Sequence, residues 1–180
     1  IGDLQYQGHR WKLEQKLIGH AKGHNLSAPW NFVNPRFGLI YEPNDKISVF
    51  ANYGKSQKEP ADNQIIEADN VWSEPVIASA EIVDNSEIGF SFISGTINSN
   101  LNIYRMNFKN EQLKNIDIEQ EGEYNYYSAD ATIHQGIEFD VAFNFIQRLN
   151  VSFNGAINHN SFESGNSKGN ILPNTPLTLG

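Results

Sequence analysis

Five histidines and a set of aromatics in polar segments are the residues most able to do chemistry in this 180-residue chain, which has no cysteine. His20 and His24 stand four apart, a spacing that on a helix would aim two imidazoles at one metal. Gly19 and Gly23 argue against a helix there, and no third ligand lies close in sequence. No metal site is therefore assigned, and the pair is read as loop histidines that could help capture a metal-bearing ligand. Glu138 and Asp140 share a strand face at about 7 Å, a separation that suits a glycosidase pair. Nothing nearby would raise one pKa by burial, so a hydrated pair is expected. No Gly-x-Ser-x-Gly elbow, phosphate loop or dinucleotide fingerprint occurs, and without cysteine there is no thiol nucleophile or thiolate metal site. No catalytic residue and no cofactor is expected. The better candidates are Trp72, in the longest polar segment, and Tyr124, Tyr126 and Tyr127 in an acidic loop with Glu119, Glu121 and Glu123. Such aromatics give flat stacking surfaces with polar tips, fit for sugars, chelates or partner proteins, although loop-to-loop packing would use them equally well. With His24 they form the expected ligand-binding set.

The elements that would position them are strands. Ile137, Phe139, Val141 and Phe143 alternate with Gly136, Glu138, Asp140 and Ala142, and a period of two places the sets on opposite faces. Leu149, Val151, Phe153 and Ile157 alternate likewise with Asn150, Ser152, Asn154 and Ala156, broken only by Gly155. Ile88, Phe90 and Phe92 oppose Glu87, Gly89 and Ser91, and Phe37, Leu39 and Tyr41 oppose Arg36 and Gly38. Ile97, Leu101 and Ile103 oppose Asn98, Asn100 and Asn102, after which the phase shifts to Tyr104, Met106 and Phe108. A bulge or an exit from the buried zone would produce that shift. No helical periodicity outlasts about two turns, and the best helical stretch, 11–17, is short and uncapped, so the chain is read as all-β.

Connector lengths add topology. Glu42-Pro43-Asn44-Asp45, Ser94-Gly95 and Ile146-Gln147-Arg148 are short turns. Long polar segments lie between them, near 12–29, 56–80, 109–131 and 160–170. Long and short alternate strictly, which in an antiparallel up-and-down sheet gathers every long connector on one side. With two-faced strands of about 10 residues, this is the pattern of an outer-membrane barrel with short periplasmic turns, long extracellular loops, lipid outside and a polar lumen. About eight strands are expected, near 2–11, 30–41, 46–56, 82–93, 96–108, 132–144, 148–159 and 171–179. Regular pairing in the last should begin after Pro176, because proline lacks the ladder donor. Tyr41, Phe92 and Phe143 would form the girdle near the turns, and Tyr53 and Trp11 the girdle toward the loops.

Composition narrows the classes. Thirteen Lys and Arg against 21 Asp and Glu give a net charge of −8, the wrong sign for a nucleic-acid partner. No apolar run exceeds three residues, where a spanning helix needs about 20. The only methionine is Met106, so the chain is expected to be a segment of something longer. Ile1-Gly2-Asp3 has no leader character, which assigns no compartment.

Several stretches, in order, resemble the barrel of TonB-dependent outer-membrane receptors. They are Asn34-Pro35-Arg36-Phe37-Gly38-Leu39-Ile40-Tyr41 with the turn after it and Ile47-Ser48-Val49-Phe50-Ala51-Asn52-Tyr53, then Glu59-Pro60 at the base of a long loop, and Glu87-Ile88-Gly89. Asn102-Ile103-Tyr104-Arg105-Met106-Asn107-Phe108-Lys109-Asn110, His134-Gln135-Gly136-Ile137-Glu138 and Leu172-Pro173-Asn174-Thr175-Pro176 follow, and Gly2-Asp3-Leu4-Gln5-Tyr6 fits an upstream strand more loosely. The resemblance covers most of residues 30–180. It implies a barrel of about 22 strands, of which this chain, as one segment over 1–180, would supply part of the later half. The plug domain, the energy-coupling box and the closing strand are not in it. It also implies a bacterial outer-membrane importer, not an enzyme, for siderophore-iron, haem, cobalamin or an oligosaccharide. The implied partners are outer-membrane lipid, the nutrient, and an inner-membrane energy-coupling protein acting through the plug.

Two other readings share the alternation: a soluble β-sandwich binding module, and a complete small eight-stranded outer-membrane barrel, including one with a hydrolytic site near His134 or His159. Size-exclusion chromatography separates the first from any barrel. The barrel reading expects a monodisperse peak in detergent and aggregation without it, whereas a sandwich would be monodisperse in buffer alone.

Overall fold

The computed structural model describes residues 1–16, 23–66, 74–116, 124–146, 149–172 and 178–179. It contains β1 (Gly2–Glu14), β2 (Asn25–Asn44), β3 (Ile47–Lys58), the single turn α1 (Asp62–Ile65), β4 (Glu81–Ile93), β5 (Ile97–Ile116), β6 (Tyr124–Ile146), β7 (Leu149–Phe162) and β8 (Thr178–Leu179). The strands form one antiparallel sheet in the order β1-β2-β3-β4-β5-β6-β7-β8, with no pairing between β1 and β8 among the described residues. Every connection is thus to the next neighbour, as the alternation of short and long connectors requires. No second sheet covers the strands among the described residues, which disposes of the sandwich.

Register carries the two-faced pattern across the whole sheet. Leu39, Ala51, Ile88, Ile103, Ile137 and Ile157 are successive partners on β2 to β7, and the next row toward the short turns is Tyr41, Val49, Phe90, Leu101, Phe139 and Gly155. This is the outer face of a barrel. Its side chains touch no protein layer: Leu39 is 69% exposed, Ile88 60% and Ile157 59%. Tyr41, Phe92 and Phe143 lie on it at the turn side and Tyr53 toward the loops, as expected.

The loop-side edge of this apolar belt is not parallel to the rows of partners. It lies at Ile157 on β7, Ile137 on β6, Ile103 on β5 and Ile88 on β4, all one row, then at Tyr53 on β3. On β2 and β1 it reaches the pair Val33 and Tyr6, six residues beyond Leu39. Six residues at about 3.3 Å make about 20 Å of climb over five or six strand spacings of about 4.8 Å, an inclination of about 35–40°. A flat membrane crossed by strands tilted about 35–45° produces this offset. Beyond the edge, β5 carries Arg105, Asn107 and Lys109 outward and β7 carries His159, with Ile82 and Ile133 as apolar exceptions. The phase shift after Ile103 is therefore an exit from the apolar zone. Register runs unbroken from Ile82–Lys109 to Ile93–Asn98, so no bulge lies there.

The opposite face is a polar lattice. Asn102 donates to Glu87 at 2.7 Å, Asn100 to Asp140 at 2.9 Å, and Tyr104 to Asn158 at 2.7 Å. Tyr104 and Asn158 sit on either side of Gly136 in register. The phenol reaches across because that position has no side chain; a Cβ there would meet Asn158 and Tyr104 and lie 2.8 Å from the Ile157 carbonyl.

The strands overrun the expected bounds on the loop side. β2, β5 and β6 have 20, 20 and 23 residues, about twice what a tilted strand needs to cross a bilayer. Past the apolar zone the outward face turns polar, so the pattern that marks the belt ends while backbone pairing continues. The connector expected at 109–131 thus shrinks, and Tyr124, Tyr126 and Tyr127 lie on β6, with Tyr127 opposite Leu113 and Tyr124 opposite Ile116, not in a loop. On the turn side, the expected 42–45 turn moves to Asp45 and Lys46. The Asn44 side chain accepts the Lys46 N–H at 3.0 Å, and the register slips between Tyr41 and Asn44, where Pro43 leaves no ladder position undonated. The stretch 11–17 read as the best helical one is strand as far as Glu14. Gln147, Arg148, Pro173 and Pro176 lie outside the described residues, whereas Thr178 and Leu179 pair with Ala156 and Gly155 beyond Pro176.

The two faces predict opposite responses to the same charge. Leu101→Arg, between Phe90 and Phe139 on the outer face, should lose about 2–4 kcal/mol of stability in phosphatidylcholine vesicles. Ser152→Arg on the inner face should stay within about 0.5 kcal/mol. Urea titration followed by tryptophan fluorescence measures both.

Candidate functional site

On the loop side, β1 and β2 invert their polarity. Arg10, Lys12 and Glu14 turn outward, while Gln7, His9, Trp11 and Leu13 turn inward and pair with Phe32, Trp30, Ala28 and Leu26. Inside, Ala28, Trp30, Phe32 and Ile65 of α1 form the buried apolar cluster, with Trp11, Leu26 and Ala80 packed against it. Trp11 was expected in the lipid girdle. It lies instead on the inner face, its indole donating to Asp62 at 3.1 Å, because the reversal of polarity along β1 puts the charged residues outside.

The connector after β3 makes this cluster possible by folding inward. Ile65 is 1% exposed, and the Ile65 carbonyl accepts the Val76 N–H at 2.8 Å. Glu59 lies 3.4 Å from His9 Nδ1 through its carboxylate and accepts the Gln112 side chain at 3.0 Å through its backbone carbonyl. Asn110 donates to the Ala80 carbonyl at 3.0 Å, and Glu81 accepts the Gln112 N–H at 2.7 Å. Glu59-Pro60 is therefore where one connector is fastened to β1 on one side and to β5 on the other. His9, Trp11, Trp30, Glu59, Asp62 and Ile65 border a cavity of about 130 Å³ there.

A second cluster faces it from β5 and β6. Asn110 has φ 54°, a left-handed conformation that asparagine tolerates better than most residues. That twist turns Glu111 inward, where Thr132 Oγ1 donates to its carboxylate and His134 Nε2 lies 3.0 Å away. Thr132 is 1% and Glu111 8% exposed, and the Phe108 ring stands edge-on to His134 at 5.0 Å. The carboxylate takes both partners, so the cluster joins no hydroxyl to the imidazole. His159 is in the outward row with Gln135 and Arg105. The geometry needed for a hydrolytic site at either histidine is thus not formed.

Of the residues singled out from sequence, His24 is 8% exposed, 3.6 Å from Glu74, with its carbonyl accepting the Gln15 N–H at 2.7 Å. It sits at the base of the first long connector. Tyr124, Tyr126 and Tyr127 share the loop-side end of β6 in backbone position, and Trp72 and His20 lie outside the described residues. Glu138 and Asp140 line the inner face, Asp140 tied to Asn100. Among the described residues no three His, Asp or Glu side chains gather as a metal site. Sequence reasoning passed over His9, Asp62 and Glu111. The charged run Arg10, Lys12, Glu14 was the available signal, since it sets which residues of β1 must turn inward.

Residues 5–180 match the family model described as TonB dependent receptor-like, beta-barrel. Among solved structures, the chain is similar to the copper transporter OprC, with 14% identity and a TM-score of 0.71 over 91% of this chain and 26% of that one. It is also similar to the ferric yersiniabactin uptake receptor FyuA from Yersinia pestis, with 16% identity and a TM-score of 0.71 over 97% of this chain and 26% of that one. The FrpB iron transporter from Neisseria meningitidis, F5-1 variant, aligns at 19% identity and a TM-score of 0.65 over 89% and 24%. The chain thus spans about a quarter of the length of these structures. No curated protein matches it in sequence.

The inner cluster predicts an asymmetry. His134→Ala leaves the buried Glu111 carboxylate without its imidazole and should lower stability by about 2–3 kcal/mol. Glu111→Gln, which keeps a hydrogen-bonding group there, should lower it by about 1 kcal/mol. Hydrogen exchange at the loop-side ends of β5 and β6 should show the same order.

Proposed function

Because this chain belongs to the TonB-dependent receptor family, a family of outer-membrane β-barrels in Gram-negative bacteria that transport and do not catalyse, we propose that it forms wall and outer rim of an importer for a scarce nutrient. The cargo is siderophore-bound iron, haem, cobalamin or an oligosaccharide. The observation that supports this reading is the cluster of polar and aromatic side chains turned inward at the loop end, His9, Trp11, Glu59 and Asp62, beside a wall of asparagines and carboxylates. Such a surface offers stacking and hydrogen bonds without a reactive group, which is what reversible capture needs.

In this reading the chain is one barrel segment, and Trp72, Tyr124, Tyr126 and Tyr127 hold the cargo at the rim. His24, beside Glu74, completes the set from the base of the first long connector. Lipid surrounds the outer face, and an inner-membrane energy-coupling protein acts through a plug domain to release what the rim has bound. Nucleic acid has no place in it, given the charge of −8.

The test uses the whole receptor and a cargo panel of ferric siderophores, haem, cobalamin and oligosaccharides. One panel compound should bind, and the variant Trp72→Ala/Tyr124→Ala/Tyr126→Ala should bind it about tenfold more weakly, the equivalent of about 1.4 kcal/mol, with the barrel still resistant to unfolding in cold detergent. Unchanged affinity removes the proposed residues, and a panel without any binder removes the proposed cargo.

A further inference from the structure

The outer face carries a groove that neither the wall nor cargo capture uses. It runs across β4 to β7 at the loop-side edge of the apolar belt and has a volume of about 460 Å³. Its floor is the row Ile88, Ile103, Ile137 and Ile157, and its upper margin is the adjoining row with Arg105, Gln135 and His159. A surface that is apolar below and cationic above, at the level where strands leave the apolar zone, has the polarity profile of one amphiphile lying along it.

Arg105 is held in a way that suits an anion. Its Nε donates to Asn107 at 3.1 Å, which fixes the plane of the guanidinium and leaves the terminal nitrogens as a fork. Among the described residues no carboxylate forms an ion pair with it. Asp84, opposite Asn107 on the same face, is engaged by the Tyr53 hydroxyl at 2.7 Å. Lys109 faces outward on the same strand, so this part of a chain with net charge −8 presents positive groups to the membrane boundary.

We propose that this groove is a specific site for a phosphorylated lipid of the outer leaflet. One acyl chain lies on the four isoleucines, and the headgroup phosphate takes both terminal nitrogens of Arg105, with His159 beside it. Arginine suits this role because its planar fork matches phosphate oxygens two at a time, which a lysine cannot do. The inference rests on the outer face meeting lipid and not on the cargo, so a receptor that bound nothing in the cargo panel could still show it.

The experiment places the whole receptor in nanodiscs of phosphatidylcholine doped with phosphatidic acid of the same acyl chains, and counts retained lipid by native mass spectrometry. The parent should retain phosphatidic acid preferentially. Arg105→Gln should cut that retention about tenfold, and Lys46→Gln, at the opposite rim, should leave it unchanged. Ile103→Ser should weaken retention of both lipids. Arg105→Lys keeps the charge without the fork and provides the reading if Arg105→Gln does not fold; it should retain at least about threefold less than the parent. Equal retention by parent and Arg105 variants overturns the site and leaves Arg105 merely reaching for water. Equal loss in Lys46→Gln overturns it in favour of diffuse attraction.

Discussion

A polypeptide crossing hydrocarbon has no water to satisfy its N–H and C=O groups, so each strand must take its hydrogen bonds from its neighbours. Most features of this chain follow from that requirement. The ladder is unbroken through the apolar belt from β3 to β7, and the register slips at Tyr41/Asn44 and Asn144/Ile146 both fall at the turn side. Where β2 and β3 part beyond Arg36 and Gly54, the open edge is patched: Gln57 donates to the Val33 carbonyl at 3.0 Å and to the Asn34 side chain at 3.3 Å. Pro29 and Pro35 lie in that stretch, where β2 pairs with β1 alone, so one side of the strand needs no donor.

Once the backbone is satisfied by pairing, side chains are free to match whatever each face meets. Outside, isoleucine, leucine and phenylalanine need no partner within the protein. Inside, asparagines and acids bond sideways from strand to strand, and glycine opens the way for a long reach, as Gly136 does for Tyr104. Stability here owes little to a core. The buried apolar cluster of four residues sits at the loop end, outside the belt, where the connector after β3 folds in and holds the rim in shape.

That arrangement also separates tasks by height. The belt fixes depth in the membrane, the row just above it presents Arg105 and His159 to the boundary, and the inward side at the loop end carries His9, Trp11, Glu59 and Asp62. Strand extensions past the belt put rim residues on hydrogen-bonded backbone, which fixes their main-chain positions.

Alternation in the sequence was enough to determine the strands inside the belt, their faces and their up-and-down order, because lipid on one side and water on the other impose opposite demands on adjacent residues. Phe139 against Glu138 and Val151 against Asn150 show that contrast without any coordinates. The signal ends where the contrast ends. Beyond Ile103 the outward face is polar as well, and only tertiary pairing decided that β5 runs to Ile116, that β6 begins at Tyr124, and that Trp11 turns inward. The joining of Glu59 to His9 and Gln112, and of Glu111 to Thr132 and His134, likewise rests on contacts between residues distant in sequence. No local pattern encodes these contacts, since each side chain's surroundings exist only after the strands have aligned.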